Sequence, residues 1–296
     1  MSPDNASLQD KLKSWPLVIL PHQLLSRIVR TVTRWQASWW KNPLIKLFVR
    51  HFDVDMTEAE APRAEDYADF NCFFTRSLKP SARSLPDNPT AIASPVDGCV
   101  SEAGDITAGR LLQAKGRDYS LLTLLGGNEK RANTFLNGTF ATLYLSPRDY
   151  HRIHMPSEGR LVETTYIPGR LFSVAPHTTR TIPGLFTRNE RLVTIFDTPA
   201  GPMALIMVGA IFVSCMETVW GGTVNPTMGK TLETAYFGNP GTLSVELQCG
   251  EEMGRFNMGS TVILLYGPNQ VEWVETLQAG QSICMGQTIG RILAPT

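Results

Sequence analysis

The 296 residues carry 27 basic and 27 acidic side chains, with 43% apolar and 9% aromatic residues. Ordinary apolar content at zero formal charge excludes a mainly disordered chain and suffices for one large domain or two small ones. No run approaches the roughly 20 apolar residues of a membrane-spanning helix, and five cysteines without a CxxC pair argue against a disulfide framework or a cysteine-rich zinc site.

Taken from the N-terminus, Trp15–Leu20 is a short apolar stretch broken by Pro16 and Pro21, so no signal peptide is expected and the protein reads as reduced and intracellular. Residues 1–51 hold eight basic groups (Lys11, Lys13, Arg27, Arg30, Arg34, Lys41, Lys46 and Arg50) against two acids, Asp4 and Asp10. Four of the six tryptophans, Trp15, Trp35, Trp39 and Trp40, share this segment. Between Leu24 and Trp40, the residues Leu25, Ile28, Val29, Val32, Trp35 and Trp39 recur at three and four, which predicts a helix ended by Pro43. Such a stripe suits a helix packed on its own core or on a dimer partner. It equally suits a helix lying in a membrane interface, with Trp at headgroup depth and Arg or Lys against anionic lipid.

Residues 52–85 read as a connecting helix and loop, with the helix in Met56–Phe74. From about residue 90 the pattern becomes short β-branched and aromatic runs: Thr139–Leu145, Arg160–Ile167, Arg191–Asp197, Met203–Val213, Leu243–Gln248, Thr261–Tyr266 and Val271–Leu277. Gly and Pro turn signals separate them, and helical periodicity is scarce. The predicted fold class is therefore α+β, mainly β: an antiparallel sandwich or barrel-like core behind an N-terminal amphipathic helical segment. The division expected is a helical segment, 1–62, and a β-rich domain, 63–296.

Five histidines occur, and His151 and His154 lie three apart in Ser146-Pro-Arg-Asp-Tyr-His-Arg-Ile-His-Met-Pro156. HxxH can present two imidazoles to a metal, but a catalytic zinc needs a third protein ligand and there is no HExxH context, so no metal is assigned. Two histidines in a Pro-bounded loop after a strand suit acid–base work, or a structural role with each ring satisfied by backbone carbonyls. Asp97 lies in Ser94-Pro-Val-Asp-Gly98, a turn signature by itself, and Ser260 in Met258-Gly-Ser-Thr261, ahead of an apolar strand. Asp97, His154 and Ser260 form a possible acid–base–nucleophile set, in a chain order that carries no weight.

At these residues the sequence resembles the phosphatidylserine decarboxylase family in its bacterial-type form. The matching stretches are Ser94–Gly98, Lys115–Ser120, Phe140–Pro156, Tyr166–Val174, Leu185–Arg191, Gly201–Ala204, Thr218–Gly222 and Glu252–Thr261. Met258 is a departure, where the family usually has Leu; the similar volume leaves the junction intact. The resemblance implies that Ser260 attacks the Gly259 carbonyl, that the chain splits into 1–259 and 260–296, and that Ser260 becomes a covalent pyruvoyl cofactor. It implies His154 as the base for that step, oriented by Asp97, and His151 as the candidate that protonates the carbanion after decarboxylation of a Schiff-base-bound phosphatidylserine. Implied partners are a phospholipid in the bilayer, the membrane surface, the chain's own 260–296 fragment and a homodimer, with no nucleic acid. The implied location is peripheral, on the cytoplasmic face of the bacterial membrane. Two rivals are a pyruvoyl decarboxylase of a soluble amino acid and a serine hydrolase using Asp97, His154 and Ser260; Gly-Ser-Thr lacks the GxSxG elbow of the latter.

Overall fold

The computed structural model describes residues 7–19, 22–114, 116–211, 215–224, 230–257 and 260–294. Lys115, Met258 and Gly259, together with the end of the expected Met203–Val213 strand, lie outside the described residues.

Three helices open the chain: α1 (Leu8–Ile19), α2 (His22–Thr33) and α3 (Ser38–Phe52). At the start of α1, the Ser7 hydroxyl accepts from the Asp10 N–H and the Asp10 carboxylate accepts from the Ser7 N–H, a reciprocal cap. The single helix expected from Leu24 to Trp40 is instead two. The break at Arg34–Ala37 is stabilised by the Trp40 indole, which donates to the Val32 carbonyl at 3.2 Å, and by mutual packing of Trp35, Trp39 and Trp40. Pro43, expected as a terminator, sits inside α3. There its missing N–H forfeits one hydrogen bond of the ladder, and burial of Ile45 against the aromatic cluster of Tyr67, Phe70, Phe73 and Phe74 carries the helix through. Lys41 is buried too. Its ammonium donates to the carbonyls of Ala64, Glu65 and Tyr67, so it is spent on a turn rather than offered to lipid.

The body is antiparallel throughout its named strands, and the sheets do not close into a barrel. A nine-stranded sheet runs in the order Glu233–Tyr236, Gly159–Ile167, Arg191–Thr198, Gly201–Gly209, Ser260–Tyr266, Thr139–Leu145, Gly98–Asp105 and Ser282–Ile283, with Glu246–Leu247 also pairing Gly159–Ile167. The strand Ser260–Tyr266 is buried along its whole length because both faces of the sheet are covered. Val262, Leu264 and Tyr266 enter one apolar core with Leu143, Met207 and Phe196, while Ile263 and Leu265 enter a second with Phe140, Ile206 and Phe186. That double burial is why the sequence here is a continuous apolar run rather than an alternating one.

A second sheet has four strands, ordered Gly222–Thr223, Met216–Thr218, Glu252–Phe256 and Arg152–His154. Three neighbouring strands of the large sheet continue into three neighbouring strands of the small one in the same lateral order. The chain crosses between Gly209 and Met216, between Phe256 and Ser260, and between Leu145 and Arg152. Ser260 and the candidate histidines fall at or beside these crossings.

Candidate active site

Ser260 is the first residue of the central strand and pairs with Leu145 on one side and Gly209 on the other. Its side chain is fully buried, and among the described residues its hydroxyl has no hydrogen-bond partner. A buried hydroxyl is ordinarily paired, and the hydroxyl of Thr261 in the same sheet shares this lack of a partner among the described residues. The residue expected on the other side of the scissile bond, Gly259, is outside the described residues.

His151 follows a tight turn in which the Ser146 N–H donates to the Asp149 carboxylate at 2.6 Å. The His151 Nδ1–H donates to the Asp149 carbonyl at 2.8 Å, which leaves Nε2 as the unprotonated nitrogen. That Nε2 is buried without a partner among the described residues, and the ring lies 4.0 Å from the Phe74 ring, centroid to centroid. Burial pulls its pKa down to about 3; the positive charge of Arg76 adds to this, and the hydrogen bond to Asp149 opposes it. His151 is therefore a neutral imidazole presenting a bare lone pair, an acceptor rather than a donor in this state.

His154, in the small sheet, donates its Nδ1–H to the Gly250 carbonyl at 2.7 Å, and its Nε2 accepts from the Tyr150 hydroxyl at 2.9 Å. Burial lowers its pKa, against the pull of the Gly250 carbonyl and the Glu252 carboxylate. The orientation expected from Asp97 is thus supplied by Gly250. Asp97 faces elsewhere: its carboxylate accepts from Arg83 through both oxygens and from the Met285 N–H at 2.7 Å. Arg83 is shared with Glu58, donating to its two oxygens at 2.8 and 2.7 Å. The structure still brings the loop of Asp97 to His154, because the His154 N–H donates to the Pro95 carbonyl at 2.9 Å. The carboxylate–imidazole hydrogen bond of a hydrolase triad is not among the contacts of Asp97 or His154.

The Asp97 loop is also stitched to the C-terminal segment: the Ser94 N–H donates to Gln287, and the Gly286 N–H to Ser94. Gly98 serves close approach here rather than turn freedom, since a Cβ would sit 2.3 Å from the Tyr144 carbonyl oxygen. Arg83, Gly250 and Met285 lie in no motif, so local sequence carries no signal for their contacts. Tyr150 lies within the Ser146–Pro156 stretch, four residues before His154, and that spacing is its one sequence signal.

The histidine environments set a pH dependence of stability. A histidine whose folded pKa lies below its unfolded value stabilises fully above about pH 6.5, and that stability is lost as pH falls. For His151 the window runs from about 6.5 down to about 3, with a limiting slope of about 1.4 kcal/mol per pH unit. The urea midpoint of an uncut Ser260→Ala chain should therefore drop between pH 7 and 5, and His151→Leu should flatten the drop. An equal drop in both proteins would show that His151 is not its source.

A sequence model of the family described as phosphatidylserine decarboxylase matches residues 70–291, three-quarters of the chain. The chain belongs to the phosphatidylserine decarboxylase family. A second model, described as PSD, matches residues 12–53, the helical opening segment. Relatives named phosphatidylserine decarboxylase proenzyme include one from Stutzerimonas stutzeri strain A1501, 48% identical over 96% of this chain and 95% of the relative. One from Nitrosococcus oceani is 48% identical over 97% and 94%, and one from Methylococcus capsulatus strain Bath is 49% identical over 96% and 98%. The similarity spans both the helices and the sheets, so family membership covers the whole architecture described above.

Proposed function

We propose that this chain decarboxylates phosphatidylserine to phosphatidylethanolamine, using a pyruvoyl group that it makes from Ser260 by cutting its own backbone at Gly259-Ser260. The observation that carries the site assignment is the buried Ser260 hydroxyl, without a partner among the described residues, at the head of a strand paired on both sides. In the first step the Ser260 Oγ attacks the Gly259 carbonyl carbon while its proton passes to a neutral imidazole; the acyl group moves from nitrogen to oxygen as an ester. Loss of the Ser260 α-proton then expels the Gly259 carboxylate, and water releases the nitrogen as ammonia. The pyruvoyl group supplies an electron-accepting carbonyl beside which carbon dioxide can leave.

His154 takes the hydroxyl proton in this reading. Its tautomer leaves Nε2 as the basic nitrogen, Gly250 holds the ring, and Tyr150 must release Nε2 for the transfer. Asp97 acts on it through space, and its tie to Met285 links the future large and small chains. His151 then serves the decarboxylation as a proton carrier that must first gain the proton it later delivers. One observation favours a second reading: among the described residues the His151 Nε2 is buried without a partner like the Ser260 Oγ, which suits it to be the base of self-cleavage.

Among the described residues no helix is long and apolar enough to cross a membrane. In this reading the lipid is reached through the exposed faces of the described helices within 1–62. Leu8, Leu12 and Trp15 share one face of α1, and Trp35, Trp39 and Leu47 are exposed beyond it, with Lys13, Arg27 and Arg50 also exposed. This supports peripheral attachment; the cytoplasmic face of a bacterial membrane is the side proposed. Replacing Trp35 and Trp39 together by serine should weaken sedimentation with anionic vesicles by about tenfold or more while self-cleavage proceeds. Unchanged sedimentation would remove these side chains from the contact.

The activity itself is tested with phosphatidylserine vesicles and purified protein, without added pyridoxal phosphate. Carbon dioxide and phosphatidylethanolamine should appear, and a carbonyl trap such as phenylhydrazine should abolish them. Turnover of free serine without turnover of the lipid would favour a soluble amino acid as substrate.

A further inference from the structure

Asn257 is wholly buried and stands two residues ahead of Gly259, on the crossing between the two sheets. Its carboxamide is committed in three directions. The Oδ1 accepts from Asn71 Nδ2 at 2.9 Å, and Nδ2 donates to Glu217 Oε1 at 2.8 Å and to Cys215 Sγ at 2.9 Å. The backbone is held as well, with the Asn257 N–H donating to the Cys215 carbonyl at 3.0 Å and the preceding Phe256 N–H to the His151 carbonyl at 3.1 Å.

These partners lie on three different parts of the fold. Asn71 is on the helix Phe70–Phe74, whose Phe74 ring lies on His151. Glu217 is in the neighbouring strand of the small sheet, with Arg34 and Arg255 at 3.6 and 3.9 Å from its carboxylate. Cys215 closes the adjacent crossing. On the far side of the junction, Ser260 is fixed by its two ladder partners. The described residues on either side of the junction, Asn257 and Ser260, are therefore both held, and Asn257 is held through its carboxamide as well as its backbone.

We propose that Asn257 is a positioning residue for self-cleavage: its carboxamide, clamped between Asn71 and the Glu217 carboxylate, sets the approach of the Gly259 carbonyl to the Ser260 hydroxyl. The proposal rests on the self-cleavage reading above. An amide is required because the site asks for an acceptor toward Asn71 and donors toward Glu217 and Cys215. An aspartate of the same shape keeps the acceptor but sets a second carboxylate against Glu217. Displacing a reacting group by about 1 Å can cost about a hundredfold in rate, so loosening this clamp acts on chemistry that Asn257 does not touch.

The test follows conversion of the newly made full-length precursor to its two chains, by denaturing gel, after synthesis in a cell-free system. Asn257→Asp should slow conversion at least about tenfold. Adding Glu217→Gln to that variant remakes the amide–carboxylate pair with its roles exchanged and should return the rate to within about threefold of the unsubstituted chain. A merely structural contact would change the thermal midpoint of the same variants in a Ser260→Ala chain, and no such change is expected to account for the slowing. An unchanged rate in Asn257→Asp overturns the proposal, and so does slowing that Glu217→Gln does not relieve. An unsubstituted chain that stays whole would defeat the self-cleavage reading itself, a result distinct from either.

Discussion

Ser260→Ala should leave the purified chain whole at 32.7 kDa and without decarboxylase activity, whereas the unsubstituted protein should resolve into 1–259 and 260–296 under denaturing conditions. Intact-mass spectrometry decides this. The 260–296 fragment should be lighter than a serine-ended peptide by one ammonia, because the nitrogen of residue 260 leaves and its carbons remain as the ketoacyl group. The substitution should not unfold the protein. The Ser260 hydroxyl makes no hydrogen bond among the described residues, so its removal deletes a buried polar atom without orphaning a partner. A Ser260→Ala chain that still cut would refute the mechanism, and one that aggregated would contradict the burial and pairing described for that strand.

The second large effect separates the two imidazoles. With His154 as the base, His154→Ala should halt precursor conversion by a factor of about 100 to 10,000, the usual contribution of a positioned base. His151→Ala should then still be cut and fail mainly in lipid turnover. The reverse pattern would assign the self-cleavage base to His151, whose Nε2 has no partner among the described residues. Both rings have lowered pKa values through burial, so the active neutral form of either persists to lower pH than for an exposed histidine. The conversion rate should stay flat from pH 8 through about 6.5 and fall only below it. A rate that halves near pH 6.5 would mean that the base is better solvated than the structure has it. His154→Ala also leaves the Tyr150 hydroxyl without its acceptor, so Tyr150→Phe is the useful companion. It frees the His154 Nε2 and should not slow cutting if His154 is the base.

Strands and helices differed in how far they could be read locally. Thr139–Leu145 has the bounds expected, and Arg160–Ile167, Arg191–Asp197 and Thr261–Tyr266 differ from theirs by a single residue. Dense β-branched runs between strong turn residues leave little choice of boundary. Leu243–Gln248 and Val271–Leu277 shrink to Glu246–Leu247 and Val271–Trp273, because a strand extends only as far as a neighbour offers a ladder. The helix expected at Leu24–Trp40 failed for a similar reason. The apolar period continues through Trp35, but packing among three indoles and the Trp40 bond to Val32 turns the chain there.

The sequence by itself determined the family, the mainly β class, the antiparallel strands that carry the core, and the serine at the head of the central strand. Those features reside in local residue order: a motif, a run of apolar side chains, a Gly or Pro turn signal. The tertiary structure alone decided which groups meet. It placed Asp97 on Arg83 and Met285, His154 on Gly250, and Asn257 between Asn71 and Glu217. These hydrogen bonds join residues from 14 to 188 positions apart. Their formation depends on strand register and on three chain crossings aligning side by side, and no property of the residues at either end encodes that alignment.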